Sequence, residues 1–274
     1  MRWGRVGAAI LLLLFIAHVF ALQANAEHAA QRADNYVIPL DQRVYFKSGA
    51  GKLDHQGRDH TEIFGQLFLP DGPGPFPSVV LAHDWYGAYR VQREWGERLR
   101  AWGYAALLVD SLDPRGAATG LSVSSRSRSA DFLGAVRYLR SRDDIDGNKV
   151  AIIGWGQGGD AVLLASAFPK FTAAVAYYPN CIVLRQAPQM PLLILMGTRE
   201  DEPTFLYGHM AVCRKLAAGD KVDLRVLENA THGFDYDRDD VPWAGAVLTY
   251  NPVATKASIR WVKKFLEQHL RMER

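Results

Sequence analysis

Cysteine is the scarcest chemically informative residue of this chain: two, Cys181 and Cys213, occur among 274. So few thiols exclude a disulfide-built mini-scaffold and a cysteine-rich zinc module, which need several at fixed spacings. Histidine is thin as well. His55, His60, His83 and His209 form no pair at metal-ligand spacing on one helix, so neither a metal nor another cofactor is expected. No basic block stands out, since 32 lysines and arginines face 29 acidic residues. That balance points away from nucleic acid and anionic membrane surfaces as partners, and toward a small molecule. Internal repeats, low-complexity tracts and domain linkers are also missing, which excludes solenoids and disordered arrays. Beyond residue 22 no apolar run is long enough to span a bilayer.

What the sequence does contain begins with an export signature. Arg2 and Arg5 precede an apolar run over residues 6–22, and Ala24-Asn25-Ala26 has the small-x-small pattern of a signal-peptidase site. The expectation is a signal peptide over 1–26 and an exported mature chain, periplasmic or secreted, with no stable membrane insertion after cleavage. The competing reading is an uncleaved anchor, because the run approaches the length of a short span. In an exported protein one pair of cysteines is a candidate for one disulfide, the alternative being two buried thiols.

Residues 27–61 read as an N-terminal extension carrying the first strand or strands, with 36–46 alternating enough for one. From residue 62 onward strands and helices alternate. Strands are expected at 62–69, 78–82, 104–109, 150–153, 172–178, 191–196 and 222–227, with helical periodicity between them. Phe132, Val136 and Leu139 mark one helix, whose polar start at 124–129, SSRSRS, reads as solvated. Alternating elements of this kind predict a single α/β domain over 62–274, a mostly parallel central sheet with helices on both faces.

In such a sheet, ligands bind outside the carboxyl ends of the strands. One strand end carries AIIGWGQGGDAVLLA, in which Gly154, Gly156 and Gly159 satisfy the dinucleotide-binding pattern G-x-G-x-x-G. That reading needs a carboxylate at the end of the next strand to hold the ribose. The next strand ends in Tyr177-Tyr178-Pro179-Asn180, without one. A sharp strand-to-helix elbow fits better: Gly154, Gly158 and Gly159 are the small residues it requires, and an acid (Glu200 or Asp201) and then His232 follow at later strand ends. The aromatics Trp85, Tyr86, Trp155 and Phe234 also fall at strand ends, where they fit core or lid packing or the lining of an apolar pocket.

With the stretches VVLAHDWYG, VDSLDPRG, DIDGNKVAIIGWGQGG, AVAYYPNC, PLLILMGTRED and ATHGFD in this order, the chain resembles the dienelactone hydrolase family of α/β-hydrolases, particularly its exported members. The similarity runs from about Glu62 to the C-terminus. It implies that His232 is the catalytic base and that the triad acid is Glu200, or Asp201 if the loop is shifted by one. It implies oxyanion donors at the backbone N–H groups of Gln157 and Trp85, and it places Asp84 where family members often have an acid that interacts with the nucleophile. Cys181 and Cys213 resemble a paired-cysteine feature of the exported branch.

Gly156 departs from the family, which has serine or cysteine there; glycine has no atom that attacks a carbonyl. Ser111 reads as a turn residue and Asp160 as a helix-dipole partner of the first turn, so neither is expected to take over. Three functions follow as expectations: hydrolysis of a small ester or lactone with an unconventional attack step, an inactive homologue that binds a small ligand, and a nucleotide-binding oxidoreductase that lacks its ribose partner. On the elbow reading, Gly156→Ser alone would create a working nucleophile.

Overall fold

Uninterrupted apolar runs set the sheet. In the computed structural model, which describes residues 35–49, 62–200, 208–238, 240–243 and 246–270, β3 (Phe76–Ala82), β4 (Ala105–Asp110), β6 (Ala173–Tyr177) and β7 (Leu192–Gly197) are buried almost throughout. Central parallel strands covered on both faces must be. The expected signal peptide and Asp201 lie outside the described residues.

Eight strands form one sheet in the order β1-β2-β4-β3-β5-β6-β7-β8. Here β1 is Arg43–Lys47, β2 Glu62–Phe68, β5 Ile145–Trp155 and β8 Val222–Leu227. The pairs β1–β2 and β2–β4 are antiparallel and all others parallel. Around the sheet lie α1 (Arg90–Ala101), α2 (Ser125–Arg140), α3 (Gln157–Ser166), α4 (His209–Leu216) and α5 (Pro252–His269). Local chemistry starts two of them: the Ser124 hydroxyl accepts the Ser127 N–H, and Asn251 accepts the Ala254 N–H with Pro252 in the first turn. No helix among the described residues is long and apolar enough to cross a membrane.

The whole sheet lies in one compact unit, Tyr36–Arg274. β1 pairs Arg43 through Lys47 with Gln66 through Glu62, so it belongs to the same sheet as the strands beyond residue 62. The strand expected over 36–46 is corrected in part. Pro39 has a fixed φ and no N–H to give a ladder, and Leu40–Gln42 makes a 3-10 turn before β1 begins. A short hairpin, β9 (Val241–Trp243) with β10 (Ala246–Leu248), was not anticipated.

Cys181, in a 3-10 turn after β6, is bonded to Cys213 in α4, with Cα atoms 5.3 Å apart. The disulfide ties an edge helix to the loop that leaves a central strand.

Candidate active site

The ends of β3, β5 and β6 are level, with Ala82 opposite Gly154 and Gly154 opposite Ala176. Residues that follow these strands therefore emerge side by side. At the end of β5 the chain turns into α3 at Gly156, with φ 51° and ψ −118°, a backbone that favours glycine. The turn is tight because the first helical turn presses on β3. A Cβ on Gly158 would lie 2.3 Å from the His83 carbonyl oxygen and 2.4 Å from that of Ala82.

A Cβ built on Gly156 would lie 2.1 Å from Asp84 Oδ1, 2.5 Å from its Cγ and 2.7 Å from Oδ2. The Asp84 carboxylate thus occupies the space into which a side chain at 156 would project. The two main-chain donors expected to form an oxyanion hole both converge on it: Trp85 N–H donates to Asp84 Oδ1 at 2.7 Å, and Gln157 N–H donates to the same oxygen at 3.1 Å. Tyr236 OH donates to Oδ2 at 3.2 Å and itself accepts from Gln92 Nε2 at 3.2 Å. The expected partner of Asp84, a nucleophile at 156, is replaced by these donors. The same bonds leave the dinucleotide reading without a cradle, because a carboxylate already faces the start of α3 where a pyrophosphate would sit.

Across the sheet, Glu200 follows β7 and His232 follows β8. Both are buried, and His232 Nδ1 lies 2.5 Å from Glu200 Oε1. Burial disfavours the charged imidazole, but the Glu200 charge and hydrogen bond, with Asp84 and Asp160 behind them, raise its pKa above the ordinary histidine value. The Tyr178 ring packs on His232 with centroids 4.5 Å apart. Its hydroxyl donates to Asp235 Oδ1 at 2.7 Å, and Trp155 Nε1 donates to Asp235 Oδ2 at 2.8 Å. Burial pushes the Asp235 carboxyl up to about 6. This buried carboxyl links the residue before the elbow to the loop that carries His232.

The SSRSRS segment is corrected. Arg126 is exposed, but Arg128 is fully buried beneath the site. Its guanidinium donates to Gln157 Oε1 at 2.8 Å, to the Asp84 carbonyl at 3.4 Å and, over a short contact, to the His83 carbonyl. Burial lowers its pKa to about 10. His83 is buried too. The Ser111 N–H donates to its Nε2 at 3.1 Å, and its Nδ1 lies 2.7 Å from the Asp84 carbonyl oxygen and 2.8 Å from the Arg128 guanidinium. Burial and then the Arg128 charge push the His83 pKa well below the usual imidazole range, so this ring is neutral. Arg128 and His83 together fix the backbone on both sides of Asp84. A signal for Arg128 was present: the apolar stripe of α2 at Phe132, Val136 and Leu139, stepped back four residues, lands on it.

The remaining expected residues separate. Tyr86 and Trp85 are half-buried at the site. Trp155 and Phe234 are corrected from pocket lining to core: both have no exposure, Trp155 stacks on Tyr177, and Phe234 packs on Tyr177 and Tyr178. They form the floor under the site. Ser111 is buried at the end of β4. Asp160 lies in the first turn of α3, and its Oδ1 accepts the Asn180 N–H at 2.6 Å, which fastens the exit of β6. Burial pushes its pKa up to about 7.

Comparison with known proteins agrees with this fold. The family model of the dienelactone hydrolase family matches residues 63–270. The quorum-quenching protein AidA of Acinetobacter baumannii is 35% identical over 113 residues, which span 40% of this chain and 37% of that relative. A dienelactone hydrolase from Anabaena variabilis superposes with a TM-score of 0.60 at 19% identity, over 84% of this chain and all of the other. A dienelactone hydrolase-like promiscuous phosphotriesterase from metagenomic libraries gives 0.62 at 23%, covering 83% and 98%. At these identities the two structures establish the shared fold.

Proposed function

We propose that this chain, which belongs to the dienelactone hydrolase family, hydrolyses a small ester or lactone by delivering water, rather than an enzyme nucleophile, to the carbonyl carbon. One observation carries the reading: the buried His232–Glu200 pair at 2.5 Å is kept beside the elbow although residue 156 has no attacking atom. Neutral His232 would take a proton from water as the water attacks. The substrate oxygen would enter the space between the Trp85 and Gln157 N–H groups, and His232 would return the proton to the departing alcohol.

The Asp84 carboxylate must leave that space first, so the reaction is expected to be slow. An oxyanion hole and binding alone sustain roughly 10³–10⁴-fold catalysis over water, which sets the scale. We place the reaction outside the cytoplasm, a reading supported by the signal-like residues 1–26 and by the Cys181–Cys213 bond. A second reading, a ligand-binding homologue without turnover, is favoured by the occupied donor pair.

An assay of wild type and His232→Ala on p-nitrophenyl acetate and on five- and six-membered lactones decides between them. The hydrolase reading expects turnover that drops roughly 100-fold or more in the variant. Equal rates in the two proteins overturn it and leave the binding reading.

A further inference from the structure

Ester hydrolysis requires Asp84 to move away. For a different electrophile the arrangement is complete as it stands. We propose that Asp84 is a nucleophile and that this site opens small epoxides through a covalent alkyl ester of its carboxylate. This goes beyond the ester reading and needs the opposite behaviour of the same side chain.

The argument starts from where the two carboxylate oxygens are. They lie 2.1 and 2.7 Å from the point where a Cβ of residue 156 would sit, so they fill the region into which an elbow serine would project its hydroxyl. Glycine at 156 is what admits them. Oδ1 is fixed by two main-chain N–H groups, while Oδ2 meets the Tyr236 hydroxyl. A carboxylate that attacks an ester carbonyl makes an anhydride, less stable than the ester consumed. Attack on a saturated carbon makes an ordinary ester, so the productive electrophile for Asp84 carries its leaving group on such a carbon.

Tyr236 narrows the class. An epoxide oxygen leaves as an alkoxide and needs a proton donor beside the attacking oxygen. The Tyr236 hydroxyl is one hydrogen-bond length from Oδ2, oriented by Gln92 and buried against the Tyr89 ring. In the first step a bond forms from Asp84 Oδ2 to a ring carbon. The carbon–oxygen ring bond breaks, and the ring oxygen takes the Tyr236 proton.

In the second step His232 removes a proton from water, and the hydroxide oxygen bonds to Asp84 Cγ. Negative charge then builds on Oδ1, already held by the Trp85 and Gln157 N–H groups. A pair of donors aimed at that atom stabilises this tetrahedral state without rearrangement. The Cγ–Oδ2 bond breaks and the product oxygen takes the proton from His232; the second water proton, left on the new Asp84 hydroxyl, passes to the Tyr236 phenolate beside it and restores both groups. Epoxide and water give a diol, and Asp84 is regenerated with one oxygen from water.

Isotope labelling tests this on the unaltered protein. In a single turnover with enzyme in excess over styrene oxide in ¹⁸O-water, the diol is expected to carry no label and the Asp84 peptide to gain one ¹⁸O by mass spectrometry. Label in the diol of the first turnover, or no opening of styrene oxide, 1,2-epoxybutane or epichlorohydrin, overturns the proposal. His232→Ala is expected to stop after the first step and accumulate a protein heavier by the mass of the epoxide on Asp84. Asp84→Asn is expected to lose epoxide opening at least 100-fold, and Asp84→Ala to hydrolyse p-nitrophenyl acetate faster than wild type because the donor pair is freed. Undiminished epoxide opening in Asp84→Asn also overturns it. Epoxide opening without any esterase activity would sink the ester reading and leave this one standing.

Discussion

At position 156 two requirements meet: the backbone there turns with φ 51°, and a side chain has to share its space with the Asp84 carboxylate. A serine introduced alone places its Cβ 2.1 Å from Asp84 Oδ1. The strain, on the order of 1–3 kcal/mol for crowding of this kind, must be relieved by driving the carboxylate out of two charge-assisted N–H bonds. Gly156→Ser by itself is therefore expected to stay unlabelled by a fluorophosphonate, contrary to what the sequence alone suggests. Gly156→Ser with Asp84→Ala is expected to label, and adding His232→Ala to abolish labelling. Labelling of the single variant at the rate of the double would show that Asp84 yields freely. Glu200 gives a second test at this scale. Glu200→Gln removes the largest influence that raises the His232 pKa, so the acid limb of kcat/KM is expected to move to lower pH. Turnover should fall roughly 100-fold or more as the ring loses its charged partner. An unmoved acid limb would mean that another group sets it.

Elements carry information that single positions conceal. The central strands β3, β4, β6 and β7 were legible because they are nearly continuous apolar runs, and the elbow because its glycines sit between such a run and a helix. His232 and Glu200 were legible as strand-end residues in the right order. Arg128 was not, because an arginine in a serine-rich segment is usually solvated, and its partners Gln157, His83 and Asp84 come from three other segments. The stripe of α2 held the clue, since burial follows the helical face regardless of residue type. This predicts a contrast within one turn. Arg128→Leu leaves buried carbonyl and amide oxygens without a donor, at about 1–3 kcal/mol for each group left unpaired. Arg126→Ala, on the exposed face, should stay within about 0.5 kcal/mol. Urea unfolding of the two variants measures both, and equal midpoints would mean that the Arg128 bonds contribute little. Asp84 was also read only halfway. The sequence places it beside the elbow, but that its carboxylate takes both donors is set by a carbonyl frame built by Arg128 and His83.

Across the whole molecule, the buried charges of this site give stability a direction with pH. Burial raises Asp110 to about 6, Asp160 to about 7 and Asp235 to about 6, each from an ordinary value of 3.8. Between about pH 4 and 7 the folded chain therefore holds protons that the unfolded chain has released. Stability falls with rising pH wherever the folded state binds more protons, so these three groups favour the acid end of that window. His232 acts in the same sense at higher pH: its pKa is raised on folding, and its contribution is lost as pH climbs through the folded value. His83 opposes them below its ordinary value of 6.5, because its folded ring stays neutral where the unfolded ring is charged. On the far acid side Asp144, held below the carboxylate range by its bond to Arg142, keeps its contribution above the ordinary value and loses it as pH drops from there through the lowered folded value. Burial lowers the pKa of His269 as well, so three carboxyls and one imidazole act against two imidazoles, which places the maximum on the acid side of neutrality. The melting temperature at pH 5 is expected to exceed that at pH 8 by at least roughly 2–4 °C, the shift that about 1 kcal/mol produces in a chain of this size. Differential scanning calorimetry at fixed ionic strength measures it. A melting temperature that rises from pH 5 to 8 would mean that these carboxyls ionise in the folded protein as readily as in the unfolded one, and that the site is wetter than its packing indicates.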